Sequence, residues 1–137
     1  MKYLLDTCLI SDFARGVRPV LSRLQATPPS AIAISVVTVM EVECGLLLRP
    51  GLARKLRHVL DALFASSSVL PFDCGDAAEA ARLRAELRGK GLPVGAYDLL
   101  IAATALRRGL VLVTSNTAEF RHCESLMLED WRVAGPA

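Results

Sequence analysis

Four polar residues stand at matching places in four separate stretches of the chain. Asp6 ends the apolar run of KYLLDTCLIS, and Glu41 follows one in ISVVTVMEVECG. Asp98 stands near the start of VGAYDLLIAATAL, and Asn116 follows the apolar run of LVLVTSNTAEF. Carboxylates are rarely buried without a partner, so an acid beside an apolar run calls for a cation or a hydrogen-bonding role. Donors that are all hard oxygens, with no histidine or thiolate required, suit Mg²⁺ or Mn²⁺ better than zinc. Oxygen-held Mg²⁺ keeps several waters and takes further ligands from phosphates, which points to phosphoryl or phosphodiester chemistry.

Each of the four also has a plain structural role open to it. Asp6 reads as a cap for a following helix. Thr38 and Glu41 match the T-x-x-E capping box, and Glu43 reads as solvated. Asp98 complements a helix dipole in a first turn, and Asn116 with Glu119 resembles an N-cap and its third-position partner. Singly they decide nothing. Together, three carboxylates and an amide on one edge would repel each other and lose solvation unless a cation held them.

The elements that position them are legible from the pattern of apolar runs and breakers. Short apolar runs predict strands over residues 2–6, 31–37, 68–72, 110–114 and, weakly, 125–128. Helical patterns predict helices over 11–15, 18–26, 39–48, 51–66, 77–90 and 96–108. Pro28-Pro29, Pro50-Gly51, the Gly89 to Pro93 stretch and Gly109 punctuate them. The strands lack strict alternation, as strands covered on both faces should. The expected fold is therefore α/β, with a central parallel sheet of four to five strands between helical layers. In such a sheet the strand ends and the following helix starts share one edge, so Asp6, Glu41, Asp98 and Asn116 are expected to meet there.

The chain has 137 residues, 53% of them hydrophobic, and a formal charge of +2. That length fits one domain, expected over residues 1–137, and the mild charge does not by itself mark a nucleic-acid binder. Cys8, Cys44, Cys74 and Cys123 form no CxxC pair, which argues against a zinc knuckle and for reduced thiols in a cytoplasmic protein. No run approaches the roughly 18 apolar residues of a membrane span, and no signal peptide is expected. Two basic runs, Arg54, Lys55, Arg57 and His58, then Arg82, Arg84, Arg88 and Lys90, read either as an RNA path or as solvated helix faces. Tyr97 and Phe120 are open to either base stacking or core packing. Asp73 and Asp76 most simply cap the next helix, and Trp131 is expected against the last strand.

The stretches LLDTCLIS, ISVVTVMEVECG, GAYDLLIAATALRRG, LVTSNTAEF and LMLEDW, in this order and spacing, resemble the successive signatures of PIN-domain ribonucleases, specifically VapC-type toxins of toxin-antitoxin pairs. The resemblance spans nearly the whole chain and implies a PIN-like three-layer α/β/α domain. It implies that Asp6, Glu41 and Asp98 hold Mg²⁺ or Mn²⁺, with Asn116 at a fourth catalytic position where the family has Asp or Asn. Thr7 and Thr114 match positions that support the acids, and Cys8 stands where the family often has Asn or Ser. The implied reaction is metal-dependent endoribonuclease cleavage that leaves a 5′-phosphate and a 3′-hydroxyl. The implied partners are an RNA substrate, a VapB-like antitoxin and a second copy in a homodimer.

Other readings meet missing parts. A receiver-like domain would need an acid beside Asp6 and a Lys after the last strand. A haloacid-type phosphatase would need D-x-D, but position 8 is Cys. No G-x-G-x-x-G follows the first strand. A non-catalytic RNA-binding or partner-binding module on the same fold remains the alternative, and metal dependence separates it from the enzyme.

Overall fold

In a computed structural model, which describes residues 1–133, five short strands alternate with seven α-helices. The last four positions of the expected domain span 1–137 lie outside the described residues. The strands are β1 (Tyr3–Leu5), β2 (Ile32–Ser35), β3 (Ser68–Leu70), β4 (Val111–Val113) and β5 (Leu128–Glu129). They form one parallel sheet in the order β3-β2-β1-β4-β5. The helices are α1 (Thr7–Ala14), α2 (Arg18–Ala26), α3 (Val36–Leu48), α4 (Pro50–Ser66), α5 (Cys74–Gly89), α6 (Ala96–Arg108) and α7 (Thr117–Phe120).

The sheet is apolar on both faces, and neighbouring strand residues divide between two cores. Leu4, Ala33 and Leu112 pack with Leu83, Leu87, Ile101 and Phe120 from α5, α6 and α7. Leu5, Ile34 and Val113 pack with Leu9, Val20, Leu46 and Leu60 from α1 to α4. This is the three-layer α/β/α arrangement expected from strands without polar alternation. Ala102, Ala103 and Ala105, each fully buried, let α6 approach its neighbours closely. Gly109 ends α6 in the left-handed region at φ 64°, where a Cβ would be strained.

Several boundaries differ from the sequence expectation, for local reasons. The first helix starts at Thr7 rather than 11, because Asp6 caps it by accepting from the Thr7 N–H at 2.6 Å. The third begins at Val36 rather than 39, because the Ser35 hydroxyl accepts from the Val37 N–H. The T-x-x-E box is therefore not formed: Thr38 is fully buried, and its hydroxyl has no hydrogen-bond partner among the described residues. The last strand lies at Leu128–Glu129 instead of 125–128. The capping role of Asp73 and Asp76 is realised, each side chain accepting the other's backbone N–H at the start of α5.

Ion pairs consume much of the basic surface. Arg57 binds Glu43 and Asp61, Arg82 binds Glu79 and Glu86, and Lys90 binds Glu86 and Glu124. Arg107 and Arg108 bind Asp73 and Asp76, tying the end of α6 to the start of α5. Among the described residues no helix is long and apolar enough to cross a membrane.

The chain after β5 is clasped back onto the body. Trp131 is buried beside Tyr3, with ring centroids 5.2 Å apart, and its indole N–H donates to Glu129. Next to it the Arg132 guanidinium donates twice to Asp12, a buried α1 carboxylate that also binds Arg15. The hydrogen bonds from Arg132 lower the Asp12 pKa, against the opposing effect of burial. A carboxyl lowered by folding stabilises above the unfolded value of about 4 and loses that contribution as pH falls through the folded value. Arg132→Ala should therefore lower stability at pH 7. Urea unfolding at pH 7 and at pH 3 checks this, and the gap to wild type should narrow at the lower pH.

Candidate active site

The register of the sheet assembles the site. Leu5 pairs with Val113, so the residues that follow, Asp6 and Thr114, leave adjacent strands side by side. The Asp6 backbone N–H donates to the Val113 carbonyl at 3.0 Å, which fixes where α1 begins. The chain runs outward from β1 to β2 and β3, then returns to place β4 on the other side of β1. That reversal is the switch point of an open α/β sheet, where ligands bind beyond the strand ends.

Asp6, only 3% exposed, accepts from the Thr7 N–H at 2.6 Å and from the Thr114 hydroxyl at 2.7 Å. Thr7 in turn donates its hydroxyl to Glu41 at 2.7 Å. Thr114 accepts the Asn116 N–H at 3.0 Å. The Cys8 thiol lies 3.3 Å from Asp6 and 3.2 Å from Thr114 and accepts from Ser115. Burial first, and the negative charge of Asp6 second, push that thiol's pKa up, so it is a packing and hydrogen-bonding group there.

Asp98 enters from the first turn of α6, which Gly95 opens. Its pKa is pushed up to about 7, chiefly by burial, then by the charge of Asp6, by a hydrogen bond with Glu119, and by Glu119 and Glu41 as further like charges. Glu119 is held low, first by the Gly95 N–H, which donates at 2.6 Å, and also by Asp98 and Asn116. The Asn116 amide donates to Glu119 at 2.6 Å instead of capping α7. A Cβ on Gly95 would stand 3.3 Å from an Asp98 oxygen and 3.5 Å from Glu119, so the bare backbone is what lets both acids close in.

Asp6, Glu41, Asp98 and Asn116 are therefore brought to one edge, linked through Thr7, Thr114 and Glu119. Among the described residues no three His, Cys, Asp or Glu side chains already form a group that could hold a metal ion. The acids are turned instead to protein donors and, in the Asp98–Glu119 pair, to each other. The donor chemistry nevertheless fits a hard divalent cation: oxygens from several elements, and a carboxyl whose pKa is raised by burial and then by its neighbours' charge. Glu119 is the residue the sequence reading left as a cap, and only its bond to Gly95 reveals its place.

An open parallel α/β domain with carboxylates crowded at its switch point is a ligand-binding fold built for a cationic or cation-bridged partner. A PIN-domain family model matches residues 3–124. Over 135 residues the chain is 36% identical to the tRNA(fMet)-specific endonuclease VapC of Shigella flexneri, covering 96% of this chain and 98% of that one. The solved structure of DNA-bound VapBC from Salmonella typhimurium matches with a TM-score of 0.87 at 35% identity, covering 96% of this chain and 98% of that one. FitAcB from Neisseria gonorrhoeae matches with a TM-score of 0.82 at 29% identity, covering 94% and 97%. The chain belongs to the PIN-domain family, among its VapC ribonucleases.

The Thr114 hydroxyl makes two bonds that no water can replace at this buried position. Thr114→Val should lower stability by about 1–3 kcal/mol without changing the fold. Thermal unfolding together with near-ultraviolet circular dichroism checks both parts.

Proposed function

We propose that this chain is a metal-dependent endoribonuclease toxin of a toxin-antitoxin pair, carried by a single domain and acting in the cytoplasm. The observation that carries the reading is geometric: the parallel sheet brings Asp6, 3% exposed, Glu41, Asp98 and Glu119 together at one edge through the Thr7 and Thr114 bonds and the mutual crowding of the acids. Such crowding is relieved when a cation binds, so Asp6, Glu41 and Asp98 would hold Mg²⁺, with Mn²⁺ as a substitute. A cation bound there supplies Lewis acidity, lowering the pKa of an attacking water and offsetting charge on the opening phosphodiester.

The chain's own residues do the positioning. Thr7 and Thr114 orient the Glu41 and Asp6 carboxylates toward the edge. Asn116 holds Glu119 with its amide, and Glu119 is anchored on the Gly95 N–H, so this pair forms the outer wall of the site. Asn116, being neutral, contributes orientation rather than charge.

The antitoxin surface in this reading is the groove between α1, α3 and α4, a cavity of about 740 Å³. Thr7 and Glu41 line it, so a segment lying in it reaches the acids. Leu47 and Leu48, 78% and 76% exposed, extend its apolar rim. The relatives crystallised as VapBC and FitAcB support an antitoxin partner. A homodimer belongs to the same reading.

End-labelled transfer RNA incubated with partner-free protein tests the proposal. Discrete cuts are expected in Mg²⁺ or Mn²⁺ and none in EDTA. Asp6→Asn and Asp98→Asn should each slow cutting by at least about 100-fold, beyond what loss of an outer supporting group costs. Variants that stay folded and cut at the wild-type rate would overturn the assignment. RNA bound but left intact under every metal condition would instead favour the non-catalytic binding module.

A further inference from the structure

An acidic site that works on a polyanion needs cations nearby to bring the substrate in. Three of the eight basic side chains in the two sequence runs, Arg57, Arg82 and Lys90, are spoken for by carboxylates, as described above. Arg84 and Arg88 are not. They lie on α5 one turn apart, both are exposed, and neither has a carboxylate partner among the described residues. Both border a cavity of about 440 Å³ between α5 and the segment that leads into α6.

That cavity has the composition of a site for a flat apolar group. Its floor is Leu87, Leu92, Val94, Leu99 and Leu100. At its mouth stands Tyr97, 51% exposed, the one aromatic side chain among the described residues that is more than half exposed. Ala96, Tyr97 and Leu99, which flank Asp98 in sequence at the start of α6, line the cavity. The groove on the other side of Glu41 also carries cations, Arg49 and Lys55, but no aromatic residue lines it.

We infer that this cavity is a nucleotide subsite for the RNA strand next to the cleaved bond, with a base against Tyr97 and phosphates on Arg84 and Arg88. The charge pattern selects the occupant. Two unneutralised guanidiniums suit phosphates, and an apolar pocket with one exposed ring suits a base, whose π-face stacks whatever its sequence. The inference rests on the nuclease reading, and makes Tyr97 and the two arginines substrate-positioning residues that influence where the strand is cut.

The test is binding of a fluorescein-labelled single-stranded RNA dodecamer to the full, partner-free chain in EDTA, followed by anisotropy across a salt series. The double variant Arg84→Ala/Arg88→Ala should flatten the slope of log affinity against log salt by about 1.4, the value for two single-strand phosphate contacts. Tyr97→Ala should weaken binding about 5- to 100-fold, and Tyr97→Phe should retain it. With metal present, the Tyr97→Ala protein should cut at a shifted distribution of sites. An unchanged slope and affinity in folded variants, or no RNA binding by the wild type, overturns the subsite. So does a fall in oligomeric mass with RNA affinity intact, which would assign the cavity to a second copy. Because binding is read without metal, it stands apart from catalysis: cutting that persists with unchanged binding leaves the nuclease reading in place, and subsite binding without any cutting removes that reading alone.

Discussion

The Asp6 carboxylate, shut off from water at the end of the central strand, is the interaction on which the rest of the site depends. It caps α1 through the Thr7 N–H and receives the Thr114 hydroxyl from the neighbouring strand end. Those two threonines then pass the arrangement outward, Thr7 to Glu41 on α3 and Thr114 to the backbone of Asn116. A buried carboxylate without such donors would cost several kilocalories per mole, so the same bonds that make its burial tolerable also orient its neighbours. Stability and function share these contacts.

A second consequence is electrostatic asymmetry. The Asp98 pKa is raised because water is partly excluded and its neighbours are acids. Far from that edge, carboxylates and guanidiniums neutralise each other along α4, α5 and the end of α6. Each exposed pair contributes little to stability. What the pairs decide is where positive charge stays unneutralised, as at Arg84 and Arg88 beside one cavity and at Arg49 and Lys55 beside the other.

The two cavities therefore differ in kind. The groove against α3 and α4 is long, rimmed by exposed leucines and continuous with Glu41, the surface a folded partner segment would cover. The cavity beside α5 is smaller, framed by two arginines and a tyrosine, the surface a nucleic acid strand would touch.

The sequence alone carried the layered fold, because apolar runs without alternation can only be strands buried on both faces. It also led to the expectation that Asp6, Glu41, Asp98 and Asn116 meet at one edge, because each follows a predicted strand end or opens a predicted helix. Local motifs were weaker guides. The T-x-x-E pattern at Thr38 and Glu41 suggested a cap, yet Ser35, read as part of the strand, starts the helix and leaves Thr38 in the core. Asn116 and Glu119 looked like a cap for the same local reason, and their true geometry comes from Gly95, 24 positions earlier. Residue type and the neighbours within a turn are written in the chain, and so it determined which groups are acidic, which runs are strands and where they end. Which acids share donors, whose pKa is raised and which arginines stay unneutralised was decided only by the tertiary structure. Those properties depend on bonds spanning 34, 108 and 24 positions and on the exclusion of water by packed helices.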